Sequence, residues 1–114
     1  MTTILLDENL PAPLKKDFSD GFLVFTVYEK GWQSKKNGAL LQAIDEEGID
    51  FLMTADRNLE YQQHLESFNL RLAILITHDN RYKTLQSKVP LIEASLLSLK
   101  KKELRVLRID LRGK

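Results

Sequence analysis

The chain has 114 residues, 43% apolar and 29% charged, which is the size of one domain and the composition of an ordinary folded protein, and excludes disorder. Seventeen Lys and Arg against sixteen Asp and Glu leave a formal charge of +1, so bulk charge names no partner. There is no cysteine, which excludes a disulfide framework and a thiolate metal centre and fits a reducing compartment.

The longest uninterrupted apolar run, Leu72 to Ile76, is far short of the ~20 residues that cross a membrane. Asp7 and Glu8 follow Ile4, Leu5 and Leu6 too closely for a signal peptide. The expectation is a cytoplasmic protein with no membrane segment, one domain spanning residues 1–114.

Thr3 to Leu6 reads as a buried strand that stops at Asp7. Pro11 suits the first turn of a helix, and Leu14 and Phe18 at i, i+4 predict a short amphipathic helix from Pro11 to Phe18. Phe22 to Val27 is rich in β-formers and predicts a second strand. Tyr28 to Lys36, with Gly31 and Trp32, reads as a loop. Asn37 then offers an N-cap ahead of Leu40, Leu41, Ala43 and Ile44, and Gly48 a C-terminal stop. Asp50 to Thr54 predicts a third strand, Arg57 to Phe68 a short helix with a loop, and Leu72 to Ile76 a fourth strand. Leu85, Val89, Ile92 and Leu96 recur at helical spacing, with Pro90 marking a kink or the start of a second helix. Lys100 to Lys102 fall in its last turn, where cations complement the helix dipole. Glu103 to Ile109 predicts the final strand.

Strands alternating with helices predict an α/β domain with a mainly parallel five-stranded sheet and right-handed crossovers. Ligands of such sheets bind beyond the carboxyl ends of the strands, where the strand order reverses. There the first strand ends in Asp7-Glu8-Asn9, the third in Thr54-Ala55-Asp56-Arg57-Asn58 and the fourth in Thr77-His78-Asp79-Asn80. Requiring Asp7 and Asp56 to share one cleft sets the first and third strands side by side, in the order 2-1-3-4-5. Two carboxylates in one cleft repel unless a cation lies between them, and Mg²⁺ or Mn²⁺ takes such oxygen ligands. Asp and Asn after a strand are also ordinary turn formers and helix caps.

The string Ile4-Leu5-Leu6-Asp7-Glu8-Asn9-Leu10-Pro11 resembles the opening of the compact PIN-like proteins catalogued as a domain of unknown function, which are similar to VapC-type toxins and to the Mut7-C domain. Thr26 to Trp32, Lys36 to Leu41 and Phe51 to Leu59 resemble that family too, so the likeness runs from about Ile4 to Ile109. It implies a three-layer PIN-like (Rossmann-like) domain holding a Mg²⁺- or Mn²⁺-dependent ribonuclease site, a cognate antitoxin and a homodimer. Asp7 matches the first acid of that site, Asp56 the acid of the Thr-x-Asp strand end, and Glu29 stands for the glutamate after the second strand. Asn37 and Asn58 fall where acids are usual; an amide oxygen can ligate a metal but brings no charge. The candidate catalytic set is therefore Asp7, Asp56, Glu8, Glu29, Asn37 and Asn58, with Asp7 and Asp56 holding the metal. Leu96, Leu97 and Leu99 offer an apolar surplus for dimerisation.

Asn80, Arg81, Arg57 and Lys36 are the candidate RNA-binding residues, with Lys35 and Lys83 completing a basic rim; a solvated surface explains the same charges. Trp32 at this rim could stack a base but suits core or partner packing better. His64 reads as a surface residue and His78 as a loop histidine. Two other readings stand beside the nuclease. One is a PIN-like module that binds RNA or a partner without cleaving. The other is a phosphoryl-accepting receiver domain, against which the fifth strand ends Arg108-Ile109-Asp110 with no lysine.

Overall fold

The structure is a computed structural model, and it describes residues 1–59, 65–100 and 104–113. The side chains of Asn37 and Lys100 lie outside that description, as does His64. Five strands form one sheet: β1 (Thr2–Leu6), β2 (Phe22–Thr26), β3 (Phe51–Thr54), β4 (Arg71–Ile76) and β5 (Val106–Asp110). Their order is β2-β1-β3-β4-β5 and every pairing is parallel, as the sharing of one cleft by Asp7 and Asp56 requires. Among the described residues the helices of four or more residues are α1 (Val27–Lys30), α2 (Asn37–Glu47), α3 (Tyr82–Gln86) and α4 (Val89–Lys100).

Alternation along the strands divides the apolar residues between two cores. Ile4, Leu6, Val24, Phe51, Met53, Ala73, Leu75, Leu107 and Ile109 pack with Leu14, Leu85, Val89, Ile92 and Leu96 on one face. Leu5, Leu52, Leu72 and Ile74 pack with Leu40, Leu41, Ile44, Leu65 and Leu70 on the other. The central strands β1, β3 and β4 lack a polar face because helices or connections cover both sides, the condition under which parallel strands read as unbroken apolar runs.

Several local expectations are corrected. Ala12–Asp17 is a 3₁₀ helix rather than an α-helix; Pro11 and Pro13 together remove two backbone donors from so short a segment. β2 ends one residue early, because Thr26 caps α1 inside the segment read as loop. Lys36, not Asn37, is the N-cap of α2, and no side chain bonds at that cap. Gly48 does end α2, in the left-handed conformation at φ 73°. The Leu85–Leu96 periodicity resolves into two helices, with Pro90 in the first turn of α4, where its missing N–H costs nothing. Of the segment read as a short helix with a loop, Arg57–Phe68, Leu59 is helical and Leu65–Ser67 form a 3₁₀ turn, while residues 60–64 lie outside the described residues. β5 starts later than expected, at Val106, and Glu103 is outside the described residues.

Uniform right-handedness is also not met. The β1–β2 connection lies on the Ile92 face and steps one way across the sheet. The β2–β3 and β3–β4 connections lie on the opposite face and step the other way, which is the same hand. The β4–β5 connection steps that second way but lies on the Ile92 face, so its hand is opposite to the other three. Side-chain bonds attach it there: Tyr82 donates to Asp17 Oδ2 at 2.6 Å, and the Ser19 N–H to Glu93 Oε2 at 2.6 Å.

Of the three leucines read as an apolar surplus, Leu96 is buried, Leu99 packs on the core and Leu97 is 53% exposed. Ile92→Ala should therefore cost about 3 kcal/mol in urea unfolding, a buried aliphatic lost from a packed layer, whereas Leu97→Ala on the same helix should change stability by less than about 0.5 kcal/mol.

Candidate functional site

The register continues past the strand ends. Leu6 pairs with Met53, so Asp7 falls opposite Thr54. Thr54 is fully buried and its hydroxyl serves three partners. It donates to Asp7 Oδ2 at 2.8 Å and accepts from the Asn9 amide at 3.0 Å and the Asp56 N–H at 3.0 Å. Asn9 Oδ1 in turn accepts the Ala55 N–H at 3.2 Å. The β1–β3 crevice, where strand order reverses, is thus closed by a polar network.

Each remaining candidate has a definite place. Asp7 is half-buried, and its Oδ1 accepts the Glu8 N–H at 2.8 Å. Asp56 turns the chain after β3, its Oδ1 accepting the Asn58 N–H at 2.9 Å. Asn58 joins the group through its backbone. Glu29 stands apart from it: one oxygen completes a capping box with Thr26 and the other pairs with the Lys15 ammonium. That pairing, and next the Thr26 N–H, hold its carboxyl below the ordinary glutamate value. Asn37 begins α2 as a backbone position. Among the described residues no group of three or more His, Cys, Asp or Glu could hold a metal ion.

The concavity beside Asp7 opens on the other side of β1. A pocket of about 190 Å³ lies between the ends of β1 and β2, bordered by Leu6, Asp7, Glu8 and Leu10 and by Thr26, Val27 and Tyr28. Asp7 therefore belongs both to the closed network toward β3 and to the open pocket toward β2.

The expected basic rim is distributed. Asn80 donates its amide to the Asn9 carbonyl at 3.1 Å, bracing the β4 exit against the β1 exit. Arg81 is 84% exposed, with Asp79 at 3.5 Å; the Arg81 N–H is the largest influence holding the Asp79 carboxyl below its usual value. Arg57 is exposed and acts electrostatically on Asp110. Lys36 is exposed at the start of α2, while Lys35 lines a separate depression with Trp32, Ala43, Glu46 and Glu47. Trp32 packs against the α2 core, and the Lys30 ammonium lies 5.8 Å from its ring.

Sequence reasoning gave no role to Thr54 or Asn9, although both stand in the motifs quoted for the site. The capping box was readable, since Thr26-Val27-Tyr28-Glu29 has the required Thr-x-x-Glu spacing; reading Val27 as strand concealed it.

Asp7 and Asp56 are thus two acids at neighbouring strand exits, linked through the Thr54 hydroxyl. Glu29 is not part of this pair, being engaged with Thr26 and Lys15. Comparison with known proteins found no matching family model, no matching curated protein and no matching solved structure. The architecture is that of a three-layer α/β domain compatible with a PIN-like fold. No helix among the described residues is long and apolar enough to cross a membrane.

Thr54→Val, which keeps the shape and removes the hydroxyl, should cost about 2–3 kcal/mol in urea unfolding, because the Asn9 amide and Asp56 N–H lose their acceptor; Thr54→Ser should retain most of the stability. Glu29 provides a pH readout. A depressed carboxyl adds stability above its unfolded-state value and loses it as pH falls through the lower folded value. NMR titration should place the Glu29 midpoint below an ordinary glutamate, and Lys15→Met should move it back up.

Proposed function

We propose that this domain is a PIN-like, divalent-metal-dependent endoribonuclease, acting as the toxin of a toxin–antitoxin pair. One observation carries the reading: Asp7 and Asp56 leave adjacent parallel strands at the reversal of strand order, joined through the Thr54 hydroxyl. The resemblance of the strand-end motifs supports it. Asp7 and Asp56 would hold Mg²⁺ or Mn²⁺, which when bound supplies a Lewis acid and an activated water for phosphodiester hydrolysis.

The chain's own part is positioning. The Thr54 hydroxyl and the Glu8 N–H bond one oxygen of Asp7 each, leaving further lone pairs of each for a cation. Among the described residues only the Asn58 N–H bonds the Asp56 carboxylate. Glu8 borders the pocket next to Asp7 and would help orient water there. Arg81, Arg57 and Lys36, all exposed, would meet the RNA backbone. The homodimer and the antitoxin rest on the resemblance.

A second reading, an RNA- or partner-binding PIN-like module without cleavage, is favoured by the engagement of Glu29 with Thr26 and Lys15. It removes the glutamate from the metal and leaves two acids.

Thermal melts separate the two. On the nuclease reading, Mn²⁺ raises the Tm of the wild type, and Asp7→Asn and Asp56→Asn abolish both that rise and RNA cleavage. Asp56→Asn keeps a side-chain oxygen for the Asn58 N–H, so its stability in EDTA should stay within about 0.5 kcal/mol of wild type. A wild type that binds RNA but shows no Mn²⁺ shift and no cleavage establishes the module instead.

A further inference from the structure

The near-neutral total charge conceals a division. Residues 100–114 carry seven Lys or Arg and two acids, a formal +5, while residues 1–99 carry ten and fourteen, a formal −4. The structure describes residues 104–113 of that segment, three arginines against Asp110, and their strand, β5, is an edge strand: among the described residues nothing pairs with its outer side. Leu107 and Ile109 are buried, while Arg108 and Asp110 are exposed. Leu104, 44% exposed, stands just ahead of the strand.

Each of the three arginines has a partner. Arg105 donates to the Phe68 carbonyl. Arg112 grips Asp110 through Nε at 3.0 Å and Nη2 at 2.9 Å, which leaves other donors of its guanidinium fork for a ligand. Past the strand's end, His78, Asp110, Arg112 and Gly113 border an open depression of about 570 Å³.

Charge on an edge strand commonly guards against unwanted pairing. The guard is selective in sign: a basic edge rejects a second copy of itself and admits an acidic strand. The opposite edge, β2, has the sequence Phe-Leu-Val-Phe-Thr and no charge, so Arg108 in β5 and Arg105 and Arg112 beside it are not a general treatment of edges.

We propose that the outer edge of β5 receives an extended acidic peptide as a sixth strand. Its main chain pairs with β5, an apolar side chain lies on Leu104, and its carboxylates meet Arg108 and Arg112, with the depression beyond taking the end of the segment. Strand addition of this kind draws affinity from main-chain pairing and selectivity from alternate side chains. An RNA backbone would use the arginines but neither the strand edge nor Leu104, so the observations favour a peptide. The inference does not depend on the nuclease reading.

The test is fluorescence anisotropy of the full chain with a labelled synthetic peptide that alternates Glu and Val around a central Leu. At low salt it should bind with a Kd of about 10–100 μM, and Arg108→Glu should weaken it about tenfold or more. N-methylation of alternate peptide amides should abolish binding to the wild-type chain, and amide shifts should be confined to residues 104–112 and their β4 neighbours. No binding up to about 1 mM overturns the proposal. So does equal binding of the N-methylated peptide, which would reduce the contact to charge alone, and so do amide shifts at the β1 and β3 exits instead. Tighter binding of oligouridylate, weakened by the same Arg108→Glu change, would assign the edge to RNA and overturn it as well.

Discussion

Two Thr–Asp pairs, at opposite ends of the same two strands, hold β1 against β3. At the start the Thr3 N–H and hydroxyl reach Asp50 Oδ2 at 2.9 and 3.0 Å, and the Asp50 N–H returns to the Thr3 hydroxyl at 2.8 Å. At the exit the order is reversed, with Asp7 on β1 and Thr54 on β3. Both pairs span 47 residues of sequence, the offset of the strand register itself. A one-residue slip would break both pairs and turn every apolar side chain of β3 to the wrong core. The central strands are apolar on both faces, so these polar ends supply a register signal that apolar packing alone specifies weakly.

The exit pair has a consequence for chemistry. A buried hydroxyl must be satisfied, and Thr54 achieves this by drawing Asp7, Asn9 and the Asp56 backbone onto one point. The carboxylate that the nuclease reading places on a metal is thus also a structural acceptor. Such a group is pre-positioned on rigid strands, the arrangement that precise sites need. The same arrangement explains why the open space next to Asp7 lies toward β2: the β3 side is already filled.

Much of this was legible in the residues. Apolar runs ending in acids located the strands, and the demand that Asp7 and Asp56 share a cleft yielded the strand order. The matched spacings Thr3 to Asp7 and Asp50 to Thr54 held the register as well, though their pairing shows only once the strands are neighbours. Other features had no local signature. Lys15 meets Glu29 from a different connection, so the engagement of a candidate ligand depended on how the 3₁₀ segment lies over β2. The opposite hand of the last crossover arises from tertiary docking of α3 and α4, which helical periodicity does not encode. The charge division was visible in the sequence, but a total of +1 masked it until β5 proved to be an edge.

The docking of α3 on the 3₁₀ segment also bears on how the chain assembles. Asp17 and Tyr82 lie 65 residues apart, and Ser19 and Glu93 lie 74 apart, yet each pair spans the connections that cover opposite halves of one core. Neither connection can seat its buried leucines fully until the other is present. Joining them closes long loops, whose chain-entropy cost is offset only when both covers are in place. Opening either cover exposes the core beneath both, so this face of the molecule behaves as one cooperative unit rather than as two separable flaps.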